Sequence, residues 1–510
     1  MSESPIFQAP ANRWQARRTT LIALVAILAM TVLLRSIRLG PSFNIFIDEI
    51  TYVQLAKNAA STLRIAIYGH SFYLHPPAYF YMLGGYLALI RPEGDLVAQI
   101  YAARTLSLIC GALSAALLFL IAMRYTGWRG AALVGGLFAW DPFVIRNNSL
   151  VLLDTPAMLW VLLGYTLLVY GLPEGQSQGT VPAFARWRSL AIGLAFGLAC
   201  LTKDMMAGLT VLPLLVCLVL DTVLPRRSAA LIAVVAVLVY SLYPLGVALA
   251  GDWPAFVAQK TAGLQRVLGG VRITGLNRVG GPSMAERTLA RLDEFGPTYL
   301  VIGLGILALL VLLPRRTALA RLPLVWMGST CLLLLGCSIF GTIEEQFFYW
   351  LVITALLAIP AAASLLRRGL PALPKVALPA AAALLVISAG WSSVQWVRVH
   401  TTPDNGYEQA LGFLASTPAT AKTAATSETG QFLLLASGRA SGPWGRWNDP
   451  AALEQQRPHY LLISTLQFTW DQGAAGSNLL NWAERHGTLV LRVDGHRDDT
   501  ILLYSLQAQE

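Results

Sequence analysis

Long apolar runs, almost free of charged residues, alternate with short polar segments along most of this chain. A helix needs ~20 residues to cross the ~30 Å hydrocarbon core of a bilayer. Eleven runs approach or exceed that length: 19–34, 105–123, 130–145, 155–173, 189–202, 205–220, 228–251, 295–314, 322–343, 346–366 and 376–397. The pattern predicts an α-helical polytopic membrane protein with about eleven transmembrane helices.

The segment 75–90 is apolar but short, and it is rich in tyrosine and proline. Its assignment follows from the basic residues, because Lys and Arg favour cytoplasmic loops. If this segment does not span, one group of basic residues lies on the side of the N-terminus: Arg124, Arg129, Arg186, Arg188, Arg226, Arg227, Arg315, Arg316, Arg321, Arg367, Arg368 and Lys375. We therefore predict a cytoplasmic N-terminus over residues 1–18 and an interfacial helix at the outer face.

This topology puts every polar loop of chemical interest on the outer face. These loops are the first loop (39–98), the turn 146–154, the neighbourhood of Lys203, the loop 251–294, the pair Glu344-Glu345 and the tail after residue 397. The cytoplasmic loops hold little besides Arg, Pro and Gly. We expect the membrane domain, 19–397, to carry its site outside.

Residues 398–510 are mixed in composition and rich in turn residues, which predicts a separate extracytoplasmic domain. The patterns indicate helices over 407–414 and 478–486 and strands over 460–464, 489–493 and 500–506. Strands that alternate with helices are typical of a small α/β domain with a partly parallel sheet.

Composition supports the membrane assignment. Apolar residues make up 55% of the 510 and charged residues only 13%, with mean hydropathy +0.58, whereas about a quarter of the residues of a soluble globule are charged. The five cysteines lie inside apolar runs without C-x-x-C spacing, which predicts small core residues and neither a disulfide framework nor a thiolate metal site. The net charge of +10 comes largely from loop arginines, so we exclude a nucleic-acid partner.

The first outer loop carries the candidate reaction centre. Asp48 and Glu49 follow the first apolar run, and an ionised carboxylate at a membrane edge is costly unless it is paired or functional. Neighbouring residues of a helix point about 100° apart, so one carboxylate could act as a general base while the other caps a helix or holds a cation. The alternative for Asp48 is a helix N-cap, and Asp154, before Thr155-Pro156, has the same alternative.

Cations and one histidine accompany these acids. His75 precedes Pro76-Pro77, and Arg104, Arg146 and Lys203 are expected on the outer face. The loop that follows adds Lys260, Arg266, Arg272 and Arg278, some of which could neutralise a lipid phosphate. Glu344-Glu345, just before Tyr349, could pair with such cations. A hard divalent cation held by Asp48, Asp154 and Glu344 stays an open alternative.

Four motifs in order resemble a known family. They are the acidic pair Asp48-Glu49, the segment His75-Pro76-Pro77, the stretch from Asp141-Pro142 to Leu153-Asp154-Thr155-Pro156, and Leu201-Thr202-Lys203. Together they look like the protein O-mannosyltransferase and aminoarabinose transferase group, which are C-type membrane glycosyltransferases. The resemblance covers about residues 20–220 in motif order.

The resemblance implies transfer of a sugar, with inversion, from a polyprenyl-phosphate donor to a protein, lipid or glycan acceptor outside the bacterial cytoplasmic membrane. It makes Asp48 and Asp154 the catalytic carboxylates, with Asp48 as the base or the acceptor-orienting group. The resemblance also assigns His75, before Pro-Pro, and Lys203, after Leu-Thr, to the donor phosphate. From the residues themselves we add six candidates for donor or substrate binding: Glu49, Arg104, Arg146, Arg266, Glu344 and Tyr349. Glu344-Glu345 departs from relatives, which commonly have basic residues there.

Two other classes compete with an enzyme. A transporter or flippase for a lipid or lipid-linked sugar predicts charges at mid-span positions and broken helices on both sides of the midplane. A scaffold that presents the C-terminal domain leaves Asp48, His75 and Asp154 unexplained. The acidic residues of this chain cluster instead in the loops that are predicted on the outer face, which favours the transferase.

Overall fold

Helices dominate the computed structural model, which describes residues 13–172, 184–220, 223–269, 274–276, 282–314, 317–369, 374–441, 449–466, 473–496 and 500–506. The membrane part contains α1 (Arg13–Ser36), α2 (Ile47–Thr62), a hairpin of β1 (Ala66–Ile67) and β2 (His70–Ser71), α3 (Ala78–Ile90), α4 (Leu96–Trp140), α5 (Pro142–Ser149), α6 (Asp154–Gly171), α7 (Arg186–Thr202), α8 (Ala207–Leu220), α9 (Arg226–Leu249), α10 (Trp253–Leu268), α11 (Met284–Ala290), α12 (Leu292–Leu312), α13 (Ala318–Ile339), α14 (Phe348–Gly369) and α15 (Pro374–Thr401).

Within the described ranges, six helices are long and apolar enough to cross a membrane: Arg17–Ser36, Leu96–Trp140, Arg226–Leu249, Leu292–Leu312, Ala318–Ile339 and Glu345–Leu366. If α5 and α6, which are bent by 110° relative to each other, together form one span, the number of candidate spans rises to seven. The protein is therefore a multi-pass membrane protein. Each of the eleven predicted runs falls on a helix, but the number of crossings and their orientation stay predictions.

The long helix α4 is broken at Gly127 and ends at Trp140, and both features affect the number of spans. Gly127 has φ 72° and ψ −174°, so α4 consists of two arms that correspond to the separate runs 105–123 and 130–145. The second arm ends at Trp140, before the end expected from the run, because Asp141 precedes a proline and adopts an extended conformation. Its carboxylate then caps α5 by accepting the Val144 N–H at 2.9 Å.

The helix α3 is the segment expected at the outer interface. Its 13 residues rise about 20 Å, which is short of the ~30 Å hydrocarbon core. It packs on α2, where Gly84 lies against the Ala56 carbonyl so closely that a side chain would not fit. The length agrees with a helix that does not span, while its place at the membrane interface stays a prediction.

The C-terminal part is an α/β domain. It contains α16 (Gly406–Ala415), β3 (Thr423–Ala425), α17 (Glu428–Ala436), α18 (Pro450–Gln456), β4 (Tyr460–Ser464), α19 (Gly473–His486), β5 (Gly487–Asp494) and β6 (Thr500–Leu506). The strand order is β3-β4-β6-β5, with β3 parallel to β4 and the other pairs antiparallel. The three predicted strands fall on β4, β5 and β6, whereas β3, α17 and α18 were not predicted.

This domain packs directly on the segment that runs from α1 to the start of α4. The Asp404 N–H donates to the Pro41 carbonyl at 2.9 Å, and the Tyr101 hydroxyl donates to Glu408 at 3.0 Å. Phe432 of α17 stacks on Tyr68, with ring centroids 5.9 Å apart. One buried apolar cluster runs from α2 and α3 into the sheet. The C-terminal domain therefore lies beside the helix that carries Asp48.

Candidate active site

The two neighbouring carboxylates Asp48 and Glu49 diverge at the start of α2. The N-cap position is Phe46, whose backbone N–H donates to Glu49 at 3.0 Å, so Glu49 completes the cap from the first turn. Asp48 does not occupy the cap position, and its side chain is half-buried. The alternative in which Asp48 serves as the N-cap of this helix is wrong.

Glu49 and Arg104 form a fully buried ion pair. The Arg104 Nε–H donates to one Glu49 oxygen at 2.9 Å and the Nη2–H donates to the other at 2.8 Å. Arg104 also donates to the backbone carbonyls of Leu39, Gly40, Phe43 and Asn44. Glu49 accepts the Val151 N–H at 2.9 Å. Both side chains are therefore occupied by protein groups, which is at odds with the expectation that they contact the donor and favours a structural role.

Asp154 is the second carboxylate, and it has three donors. Lys203 donates to both of its oxygens at 2.9 Å, and the Trp350 indole N–H donates to Oδ1 at 2.8 Å. Asp154 is only 1% exposed. It is the first residue of α6 after the N-cap Leu153, so the alternative in which Asp154 is the cap is also wrong.

Lys203 lies in an aromatic enclosure. Its ammonium nitrogen is 5.3 Å from the ring centroid of Trp350 and 5.7 Å from that of Phe347, and these two rings stack on each other at 4.4 Å. Such faces attract a cation. Phe347 and Trp350 were not among the expected site residues, because aromatic residues at the start of an apolar run predict membrane-interface packing equally well.

Asp48 has the electrostatic environment of a proton acceptor. Burial, reinforced by the negative charge of Glu344, raises the pKa of Asp48 to about 7. Lys203, the Tyr52 hydroxyl and Arg266 act in the opposite direction. A base whose pKa lies near the working pH is present in useful amounts as the carboxylate and still binds a proton readily.

Tyr52 links Asp48 to His75. Tyr52 lies four residues after Asp48 on α2, and hence on the same face of the helix. The Tyr52 and His75 rings meet edge to face, with centroids 6.0 Å apart. Burial, followed by the charges of Lys203, Lys260 and Arg266, lowers the pKa of His75 to about 3. His75 is therefore a neutral imidazole at neutral pH.

The acidic pair Glu344-Glu345 meets cations, as the sequence suggested. Arg266 donates to Glu344 at 3.1 Å and remains 48% exposed, while Gln346 also donates to Glu344. Glu345 lies between Arg146, at 3.2 Å, and Arg291. This pairing balances the negative charge of the two acidic residues.

Tyr349 follows this acidic pair in the sequence but is fully buried. Its hydroxyl donates to Asn148 Oδ1 at 2.9 Å, in the last turn of α5. The predicted contact of Tyr349 with substrate therefore has to be indirect in this conformation. Arg272 and Arg278 lie outside the described residues.

The alternative in which Asp48, Asp154 and Glu344 hold a divalent cation can be compared with the positions of these side chains. Among the described residues, no group of three or more His, Cys, Asp or Glu side chains is arranged to hold a metal ion. Asp48, Asp154 and Glu344 do not converge on one point there, since Asp154 is taken by Lys203 and Trp350.

The described residues thus form a helical membrane domain, with charged groups gathered where its helices end, and an α/β domain at the C-terminus. Residues 79–258 match the family of dolichyl-phosphate-mannose-protein mannosyltransferases. The resemblance to this group is therefore confirmed for a domain within the chain and for the fold. No curated protein sequence matches the chain.

Solved structures give the same architecture over almost the whole length. The chain is similar to ArnT from Cupriavidus metallidurans, solved bound to undecaprenyl phosphate, with TM-score 0.56, 16% identity, and coverage of 98% of this chain and 99% of that one. It is also similar to the archaeal oligosaccharyltransferase AglB from Archaeoglobus fulgidus, solved with an inhibitory peptide and a dolichol-phosphate. That match has TM-score 0.58, 14% identity, and coverage of 93% and 73%.

Proposed function

We propose that this protein is a glycosyltransferase that moves a sugar from a polyprenyl-phosphate-linked donor to an acceptor at the outer face of the bacterial cytoplasmic membrane. The N-terminus is inside and the C-terminal domain outside in this proposal. The observation that carries it is the position of Asp48, a half-buried carboxylate in the first turn of α2, where burial and the charge of Glu344 raise its pKa to about 7 against the positive charges of Lys203 and Arg266. The family match and the polyprenyl phosphates bound by similar structures support the donor class.

The proposed reaction is a single displacement with inversion. The acceptor oxygen or nitrogen attacks the anomeric carbon, Asp48 takes the proton of that acceptor group, and the bond from the anomeric carbon to the phosphate oxygen breaks. The bonding electrons leave with the polyprenyl phosphate. Because phosphate is a good leaving group, positioning, one base and nearby cations are sufficient, and no covalent enzyme intermediate is required.

The cations oppose the charge that develops on the phosphate. Lys203 has three N–H donors, of which two point to Asp154, so one remains to meet a phosphate oxygen. Arg266 is half-exposed and could join it by exchanging its contact with Glu344. A hydrogen bond from an ionised donor is roughly twice as strong as a neutral one.

His75 and Asp154 have supporting roles in this scheme. The neutral imidazole of His75 offers one N–H to the donor without adding a second charge. Asp154 holds Lys203 in place, and through it acts on the leaving group. A divalent cation stays an optional part of the proposal, and Asp48 and Glu344, whose negative charges act on each other, are the carboxylates that could hold it.

The test is sugar transfer by purified protein in detergent, with a panel of polyprenyl-phosphate hexoses and pentoses as donors. Asp48→Asn should lower turnover by about 100-fold or more, the scale of general-base loss. Glu93→Gln, an exposed acid of the same outer loop, is the matched control and should retain turnover. Binding of the lipid donor without any transfer by the wild type would favour the flippase instead.

A further inference from the structure

The segment that carries His75 is held by the next outer loop. Asp252 accepts hydrogen bonds from the hydroxyls of Ser71, at 2.8 Å, and Tyr73, at 2.7 Å. Gln259 of α10 accepts the Tyr73 N–H at 2.6 Å and donates to the Ser71 carbonyl at 2.9 Å. The sequence before Pro76-Pro77 is therefore fastened to α10.

One ion pair connects α10 to the membrane core. Lys260 donates to Asp204 at 2.8 Å and to the Leu74 carbonyl at 3.2 Å, next to His75. Asp204 also accepts the Tyr240 hydroxyl of α9 at 2.6 Å. The ammonium of Lys260 lies 5.1 Å from the ring centroid of Tyr243. The pair is partly shielded, with the two side chains 21% and 34% exposed.

Asp204 directly follows Lys203, so two consecutive residues make ion pairs with different parts of the molecule. Lys203 binds Asp154 at the start of α6, and Asp204 binds Lys260 of α10. The short 3-10 turn Asp204–Met206 fixes the backbone between them. A displacement of α10 would therefore shift both Lys203 and His75.

We propose that Asp204 and Lys260 are a positioning pair that keeps the His75 segment against Tyr52, which lies on the same face of α2 as Asp48, and thereby sets the affinity for the lipid-linked donor. The proposal rests on the function proposed above, in which His75 meets the donor. Neither residue needs to touch the sugar or the phosphate, because their effect passes through the Leu74 carbonyl and α10.

The test uses Asp204→Asn, Lys260→Met and the double variant, with Lys57→Met as control. Lys57 lies on the same outer segment and donates to Gln99, away from His75. Each single variant should raise KM for a polyprenyl-phosphate sugar by about tenfold, the range of one coupled pair, and change kcat less. The double variant should be no worse than either single variant, and Lys57→Met should match the wild type. Additive losses in the double variant would overturn the pairing.

Hydrogen–deuterium exchange of the full-length protein gives a second readout that needs no catalysis. The amides of residues 71–75 should exchange faster in both single variants and at the wild-type rate in Lys57→Met. Unchanged exchange together with unchanged KM overturns the positioning role while the proposed function stands. If the wild type transfers no sugar, the proposed function fails, and faster exchange in the variants still supports the tether.

Discussion

Glu49 and Arg104 face each other in a doubly hydrogen-bonded ion pair that is closed to solvent. The pair ties the segment before Asp48 to α4, and the Val151 N–H extends it to the turn before Asp154. The Glu49–Arg104 pair thereby fixes Asp48 and Asp154 relative to each other, and it need not contact the substrate.

The first prediction follows from this burial. Glu49→Gln leaves the Arg104 guanidinium buried without its counter-charge, which should lower the free energy of unfolding by about 3–5 kcal/mol. The measurement is the thermal unfolding midpoint and the folded yield in detergent, with the exposed Glu93→Gln as control. If Glu49→Gln has wild-type stability but binds the donor poorly, Glu49 contacts the substrate and the structural role is wrong.

The second prediction concerns pH. Sugar transfer by the wild type should increase with pH around a midpoint near 7, because burial and Glu344 raise the pKa of Asp48 to about 7 and the carboxylate is the active form. Removing the negative charge in Glu344→Gln should shift the midpoint to lower pH. Removing the positive charge in Arg266→Gln should shift it to higher pH.

The measurement is kcat/KM against pH, which reports ionisations of the free enzyme. Glu93→Gln should keep the midpoint of the wild type. Shifts of the same sign in Glu344→Gln and Arg266→Gln would exclude Asp48 as the titrating group, since the two side chains carry opposite charges.

Much of the candidate site could be predicted from the sequence for a simple physical reason. Charged groups are excluded from hydrocarbon, so Asp48, Asp154 and Lys203 had to lie where apolar runs end, and the basic loops predicted a common side for them. The electrostatic influence of Lys203 and Glu344 on Asp48 agrees with that common location. The three strands of the C-terminal domain could be predicted because each contains three or four consecutive apolar residues between polar ones.

What the sequence did not provide is the direction in which each side chain points. Glu49 and Asp48 have the same chemistry, and only the start of α2 at Ile47 turns Glu49 inward. Trp350 had no polar signature, although its N–H holds Asp154. The strand β3 has three residues, too few to produce a pattern.

The third prediction concerns the close contact between Gly111 of α4 and Asn148, which precedes Asp154. A Cβ at Gly111 would lie 2.7 Å from Asn148 Nδ2 and 2.8 Å from its Cγ. Gly111→Ala should therefore displace Asn148 and lower the free energy of unfolding by about 1–3 kcal/mol, as overpacking does. Gly85→Ala is the control, because a Cβ there meets nothing within 4 Å. Equal thermal unfolding midpoints for the two variants would contradict the prediction.

The last prediction separates the hydrogen bond of Trp350 from its packing. Trp350→Phe keeps an aromatic face for Lys203 but removes the N–H that Asp154 accepts at 2.8 Å, a bond to a charged group worth about 1.5–3 kcal/mol. Within the described part of the chain, the N–H of the equally buried Trp326 has no acceptor, so Trp326→Phe loses packing alone. We expect both variants to lose stability through the smaller ring, but only Trp350→Phe to lower kcat, by about tenfold or more, since Asp154 then holds Lys203 less firmly. Turnover and thermal unfolding measured side by side distinguish the two effects. A loss of kcat that tracks stability equally in both variants would mean that the indole N–H has no role in catalysis.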